Sequence, residues 1–161
     1  MTRTASSKLV PRSRLAALGE RARRADRRLV FTNGCFDLMH PGHVALLEAA
    51  RRQGDLLVVA INSDASVRRL KGPDRPLMSQ GDRAYMLGAL ECVDHVTVFG
   101  EQTPLKAIEL LRPAVLVKGA DWKMAAIVGR EEVEADGGRV VRVTLKGGFS
   151  TTTMLDRLRR G

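Results

Sequence analysis

The chain has 161 residues, of which 44% are hydrophobic and 28% charged, with a formal net charge of +9. That is the make-up of one globular domain with a real core, and its polarity throughout leaves no stretch apolar enough for a membrane span. Two cysteines exclude a disulfide scaffold and fit a reducing compartment; the basic N-terminus has no apolar run of signal-peptide length, so a cytoplasmic location is the default.

Residues 1–28 hold nine Lys and Arg against two Asp and Glu, whereas residues 29–161 hold eighteen against sixteen. The positive excess therefore sits in a leader. A nearly neutral body with 4% aromatic residues is a poor nucleic-acid surface and suits small phosphorylated molecules, which also leaves no membrane partner in view. Within the leader, residues 1–10 read as mobile. Pro11 can open a helix on which Leu15, Leu18 and Ala22 share one face, with the arginines on a solvated face.

A short apolar strand spans Leu29–Asn33, followed by a glycine-containing turn and a helix from about His43 to Gln53, with Val44, Leu46, Leu47 and Ala50 facing a core. His40 and His43 thus stand at a helix start, where backbone N–H groups lack partners and the helix dipole is positive. That is a place to hold phosphate, and Gly34 and Gly42 let a ligand approach the backbone closely. Histidine can also respond to charge on a leaving group, because it titrates near neutrality.

Residues 55–62 form a nearly continuous apolar run, as in a strand buried on both faces, which favours a parallel sheet. A helical stretch over Ala65–Leu70 then delivers Lys71 into a loop with Gly72, Pro73, Asp74, Arg75 and Pro76. Ser79 or Gln80 can begin a helix carrying Arg83, Met86, Leu87 and Leu90, and His95–Phe99 reads as a third strand. Thr103 can cap a helix with Pro104 at its first position. Ala114–Lys118 is a fourth strand ending in Gly119, Ala120, Asp121 and Trp122. Arg130–Ala135 is helical and Arg139–Thr144 a fifth strand. Gly147 and Gly148 lead through Phe149 to Ser150, Thr151 and Thr152 at the start of a C-terminal helix, a second anion site.

This alternation predicts an α/β fold: a doubly wound, mostly parallel five-stranded sheet with helices on both faces, one domain overall, with a basic leader and helix over 1–28 and the working domain over 29–161. Three phosphate-friendly loops follow its strands. They supply His40 and His43, then Lys71, Arg75 and Arg83, then Ser150, Thr151 and Thr152. Blander roles stand beside these. His40, His43 and Cys35 read alternatively as zinc ligands without a fourth partner, Lys71 as a surface lysine, and Arg83 as a helix-surface ion-pair partner. Ser150–Thr152 read alternatively as a helix cap, and Trp122 as a lid on the core. His95 reads as structural.

The segment from Gly34 to His43, with Phe149-Ser150-Thr151-Thr152, resembles the HxGH and Ser-Thr-Thr signatures of the cytidylyltransferase-like nucleotidyltransferases. The wording of residues 31–37, 62–67, 70–72, 75–76 and 117–121 is most similar to the heptose 1-phosphate adenylyltransferase branch, and the match runs from about Lys8 to the C-terminus. The resemblance implies transfer of AMP from ATP to D-glycero-β-D-manno-heptose 1-phosphate, giving ADP-heptose and pyrophosphate for lipopolysaccharide or related glycans. The alternatives are a CTP-dependent cytidylyltransferase acting on a polyol phosphate and, outside enzymes, a basic nucleotide- or nucleic-acid-binding module.

On this resemblance His40, His43 and Lys71 are catalytic. Thr32, Asn33, Gly34, Cys35, Phe36, Gly42, Lys118, Gly119, Asp121, Ser150, Thr151 and Thr152 join the histidines in holding the nucleotide. Asp37, Lys71, Arg75, Arg83 and Trp122 meet the sugar phosphate. Mg²⁺ bridges phosphate oxygens instead of sitting in a protein cage. Leu145 stands where the glycerol-phosphate branch has an arginine, with Lys146 as its candidate replacement. The resemblance also implies a homo-oligomer and a separate heptose kinase, because the sugar-kinase domain fused to this one in many bacteria is not in these residues. The sugar phosphate already carries an anionic nucleophile, so no covalent enzyme intermediate is needed.

Overall fold

The structure is a computed structural model that describes residues 3–145 and 147–160. The strands are β1 (Leu29–Gly34), β2 (Leu56–Asn62), β3 (His95–Phe99), β4 (Val115–Gly119) and β5 (Arg139–Val143). They form one sheet in the order β3-β2-β1-β4-β5. Every pairing is parallel, so the expectation of a mostly parallel sheet sharpens to an all-parallel one. The apolar run of β2 is the reason: all seven of its residues are buried, which requires cover on both faces.

The helices are α1 (Leu15–Arg24), α2 (Pro41–Arg51), α3 (Asp64–Lys71), α4 (Gln80–Ala89), α5 (Leu105–Leu111), α6 (Arg130–Ala135) and α7 (Thr151–Arg160). Alternation along the strands sorts the core into two layers. Phe31, Val58 and Leu116 pack with α1, α5 and α6 through Leu18, Ile108, Leu111 and Val133. Val30, Val59 and Val117 pack with α2 and α4 through Leu47, Ala50, Ala84 and Leu87. The chain reverses its winding between β1 and β4, and their carboxyl ends open the crevice in which sheets of this kind bind ligands. No helix among the described residues is long and apolar enough to cross a membrane.

Several boundaries differ from those read in the sequence. α2 begins at Pro41, two residues before His43, because proline suits the first helical position and the His43 amide already bonds the His40 carbonyl at 2.9 Å. α3 runs on through Lys71, so that lysine is the last helical residue and not a loop residue. Pro104, not Thr103, holds the cap position of α5, and no side chain caps that helix.

The leader is also more engaged than expected. Rather than standing apart as a mobile leader, residues 3–10 pack on the end of α4 and reach the edge of β3: buried Lys8 donates to the Leu90 carbonyl at 2.8 Å, and the Val10 amide bonds the Val96 carbonyl at 2.8 Å. Leu15, Leu18 and Ala22 are buried as the periodicity required.

α1 approaches α5 closely at Gly19, where a Cβ would stand 2.1 Å from the Leu111 carbonyl oxygen. Helix propensity alone favours alanine there by about 1 kcal/mol, but backbone must move to admit it, at a cost of roughly 1–3 kcal/mol. Gly19→Ala is therefore expected to lower the urea midpoint. An unchanged or raised midpoint would show that α1 does not sit this close to α5.

Candidate active site

The site is built on the connection from β1 to α2. Phe36 turns it with a left-handed φ of 49°, a conformation that a bulky residue holds only when its surroundings enforce it. Here the ring is buried and lies 5.1 Å from the His43 ring. His40, extended at the helix cap position, makes no capping bond through its side chain. Its ring instead stacks on His43, with centroids 3.8 Å apart and planes 19° apart. Gly42 makes the stack possible, since a Cβ there would touch the His40 ring at 3.0 Å.

The stack is held neutral. Burial drives the His43 pKa down to about 4, helped by the charges of His40 and Lys71 against a small opposing pull from the Leu38 carbonyl. Burial also lowers His40. Nδ1 of each ring is buried and finds no hydrogen-bond partner among the described residues. Two buried ring nitrogens without partners beside a helix start suit an anion.

The start of α7 closes the other side. Ser150 Oγ accepts the Thr153 amide at 3.0 Å, so it caps the helix, and Thr151 Oγ1 donates to the Leu38 carbonyl at 3.4 Å. Phe149 lies over His40 with centroids 6.2 Å apart. The two motifs, far apart in sequence, therefore meet. Thr152 is exposed at the same helix start, and Lys146 lies outside the described residues.

A cleft of about 220 Å³ runs between them, lined by Thr32 through Asp37, His43, Lys71, Lys118, Gly119, Asp121, Trp122 and Thr151. Thr32 Oγ1 is itself buried and bridges to the Val117 carbonyl at 2.9 Å. Lys118 Nζ donates to Asn33 Oδ1 at 3.1 Å and lies 4.7 Å from the centre of the Trp122 ring. Burial pushes this ammonium down to about 8, while Asp121 and Cys35 pull it back up. Trp122 is 45% exposed, so it walls the cleft and does not cover the core.

Three expected substrate contacts are corrected. Arg83 has a side chain with 0% exposure, and its guanidinium is consumed by the Cys35 carbonyl at 2.6 Å, the Met78 carbonyl at 3.1 Å and Asp64 at 2.8 Å. It is neither a substrate contact nor a helix-surface ion-pair partner; it braces the turn. Asp37 is equally enclosed, accepting the Leu77 and Met78 amides at 2.9 and 3.0 Å and Arg75 Nε at 2.6 Å. Arg75 faces Asp37 and not the cleft, with its Nη2 buried and without a partner among the described residues. Cys35 Sγ points to Asn62 Oδ1 at 3.6 Å, and among the described residues no three His, Cys, Asp or Glu converge as a metal site, which removes the zinc reading.

Sequence reasoning missed a second, larger cavity of about 440 Å³ beside the first. Phe99, Gln102, Leu70 and Val128 line it and were not candidates; Thr103 was, but only as a cap. The signal was present, since residues 100–104 form a polar segment just beyond the carboxyl end of β3.

Residues 31–143 match the family described as cytidylyltransferase-like. Among curated proteins the chain is similar to the bifunctional protein HldE of Geotalea uraniireducens, 56% identical over 91% of this chain and 30% of that protein. It is likewise similar to that of Geobacter sulfurreducens, 58% identical over 82% of this chain and 27% of that one. The chain thus spans about a third of the length of these relatives or less. Among solved structures, the lipopolysaccharide core biosynthesis protein of Thermoplasma volcanium superposes with a TM-score of 0.62 at 25% identity, over 76% of this chain and 99% of that one. A pantoate-beta-alanine ligase from Francisella tularensis shares the fold, at a TM-score of 0.62 and 11% identity over 91% of this chain and 72% of that one.

Two predictions follow from the electrostatics. Burial raises the Asp37 pKa, but the Met78 and Leu77 amides and Arg75 outweigh it and hold the carboxyl below its usual 3.8. Its stabilisation is therefore complete above 3.8 and lost as pH falls through the lower folded value. Asp37→Asn should cost roughly 1–3 kcal/mol in denaturant melts at pH 7, and the gap from wild type should narrow below pH 3.8; a constant gap would count against the clamp. For His43 the unfolded ring takes its proton near 6.5 and the folded one near 4, so stability falls as pH drops from 6.5 towards 4. Tripolyphosphate should flatten that fall and take up protons on binding, read by calorimetry in buffers of different ionisation enthalpy. Binding without proton uptake at pH 6 would contradict the neutral stack.

Proposed function

The chain belongs to the cytidylyltransferase-like family of nucleotidyltransferases, and from that premise we propose that it transfers AMP from ATP to D-glycero-β-D-manno-heptose 1-phosphate, releasing pyrophosphate. The observation that carries this reading is the stacked pair His40 and His43, each with a buried Nδ1 that finds no partner among the described residues, next to the start of α7. The HldE relatives and the lipopolysaccharide-related neighbour support the sugar phosphate as acceptor.

In the proposed reaction an oxygen of the sugar phosphate attacks the α-phosphorus. The bond from that phosphorus to the bridging oxygen of the β-phosphate breaks, and pyrophosphate leaves with the bonding pair. No proton need be removed from the nucleophile. The chain's contribution is positioning and charge neutralisation. His40 and His43 hold the β- and γ-phosphates, and the arrival of that charge raises their pKa values, so they become cationic donors as the leaving group gains charge. Ser150, Thr151 and Thr152 assist from the α7 start. Lys71, at the end of α3, borders both cavities and is exposed, with no side-chain hydrogen bond among the described residues, whereas Lys118 is held by Asn33.

A divalent ion, Mg²⁺ in this proposal, would come with the triphosphate and not be held by a cage of this chain's side chains, and it would neutralise part of the phosphate charge. Arg83 and Asp37 act indirectly, by holding the turn on which Cys35 and Phe36 sit.

His40→Ala and His43→Ala should each lower kcat/KM by about a hundredfold or more, as loss of a transition-state donor does, with melting temperature nearly unchanged. The measurement is pyrophosphate release with ATP and heptose 1-phosphate. Near-wild-type turnover in both variants would overturn the catalytic assignment, and turnover by wild type only with CTP and a polyol phosphate would overturn the substrate pair.

A further inference from the structure

A third cavity, of about 230 Å³, lies at the opposite edge of the sheet from the cleft. It is lined by Leu29 at the start of β1, by Ala114 and Gly138 just before β4 and β5, and by Arg23, Arg27 and Arg112. β1 separates the two edges, and its six residues put this hollow about 20 Å from the histidine stack. Nothing in the proposed reaction uses it.

Three cations and a single carboxylate, Asp136, line the hollow, so its charge is unbalanced. Each guanidinium is pinned by part of its donor set. Arg23 Nη1 donates to the Leu111 carbonyl at 3.0 Å, Arg27 Nη2 donates to the Asp55 carbonyl at 3.0 Å, and Arg112 Nε and Nη2 donate to Asp136 at 2.9 and 3.0 Å. The Asp55 carboxylate is turned to the Arg28 amide at 2.7 Å. That leaves Nε and Nη2 of Arg23, Nε and Nη1 of Arg27, and Nη1 of Arg112 without a bond among the described residues. Guanidiniums held by one edge and open at another are preorganised for phosphate oxygens, which accept from such forks in pairs.

The backbone of Arg112 is an independent sign. It closes α5 in the left-handed region, at φ 50° and ψ 62°, a position that glycine fills without steric conflict. Local folding gives no reason for a long cationic side chain there. Its exposed pairing with Asp136 adds little to stability, so a role for its charge is the better reason.

We propose that this hollow is a second anion site, taking a compact polyphosphate, either inorganic or the phosphate tail of a nucleotide. Its volume is below the roughly 300 Å³ at which sites for drug-sized ligands begin, which favours a compact anion over a whole nucleotide. With three positive groups facing one negative group, two charges are left for the ligand, and a polyphosphate supplies several. The inference does not depend on which substrates the cleft takes.

Calorimetry with tripolyphosphate tests it on the whole chain. Wild type should bind two equivalents, one at the histidine stack and one here, and the His40→Ala/His43→Ala double variant should keep one. In that double-variant background Arg112→Gly and Arg27→Gln should each weaken the remaining site about tenfold or more. Arg112→Lys should recover only part of the loss, since an ammonium lacks the planar fork. Arg112→Gly should melt at or above its parent, because glycine suits the left-handed position; Arg27→Gln, on an exposed loop, decides the matter if that variant melts lower. ATP that displaces tripolyphosphate from the double variant would identify a nucleotide tail as the ligand, and failure to displace it would identify an inorganic one.

A second equivalent that survives Arg112→Gly and Arg27→Gln would overturn the assignment, as would a wild type that binds a single equivalent and loses it with the histidines. Sulfate binding as tightly as tripolyphosphate in the double variant would reduce the hollow to an ordinary basic surface and overturn it too.

Discussion

The arrangement depends on a guanidinium that has no exposed surface. Arg83 spends its donors on the Cys35 carbonyl, the Met78 carbonyl and the Asp64 carboxylate, so one side chain registers the β1–α2 turn, the loop before α4 and the start of α3. A buried cation is tolerable only when every direction it faces is occupied, and for that reason it is an exacting brace. Asp37 applies the same logic with opposite charge, collecting the Leu77 and Met78 amides and Arg75. Between these two clamps the turn carries Phe36 in its left-handed conformation, and the ring of Phe36 sets the wall against which His43 rests.

That rigidity gives the histidine pair its chemistry. In water two imidazoles would be solvated and partly protonated near pH 6.5. Stacked and buried, they stay neutral, with unpaired Nδ1 atoms. In the proposed reaction that penalty would be relieved by a polyanion, so the stack would favour charge that arrives or grows on the phosphates. Lys118 works differently. Its ammonium is also lowered by burial, but it is tied to Asn33 and set over Trp122, which makes it a fixed charge at the boundary of the two cavities.

The sheet explains why these groups can meet. Parallel strands all release their chains at one edge, and the reversal of winding between β1 and β4 opens a crevice there. Into it come the α2 start, the end of α3, the segment after β4 and the start of α7. The N-terminal segment covers another flank: α1 lies on the sheet beside α5, residues 3–10 pack on the end of α4 and meet β3 at Val96, and the outer face of α1 keeps its arginines exposed.

Much of this was legible before any coordinates. Hydrophobic periodicity and breakers located the five strands and most of the helices, because burial on both faces of β2 and one face of each helix leaves a pattern in the residues themselves. The HxGH and Ser-Thr-Thr segments were readable as candidate anion sites for an equally local reason: a helix start has unpaired donors wherever it occurs. What composition and spacing could not tell was which cations face the ligand. Arg75 and Arg83 look alike in sequence to Lys71, yet one is clamped on Asp37, the other is sealed in the interior, and only the lysine reaches both cavities. The same limit hid Gln102, Thr103 and Val128, which become neighbours only when β3 and β4 lie on either side of β2 and β1. Local propensity is written in the chain, but the partner of a long polar side chain is decided by packing across elements, and that exists only in the tertiary structure.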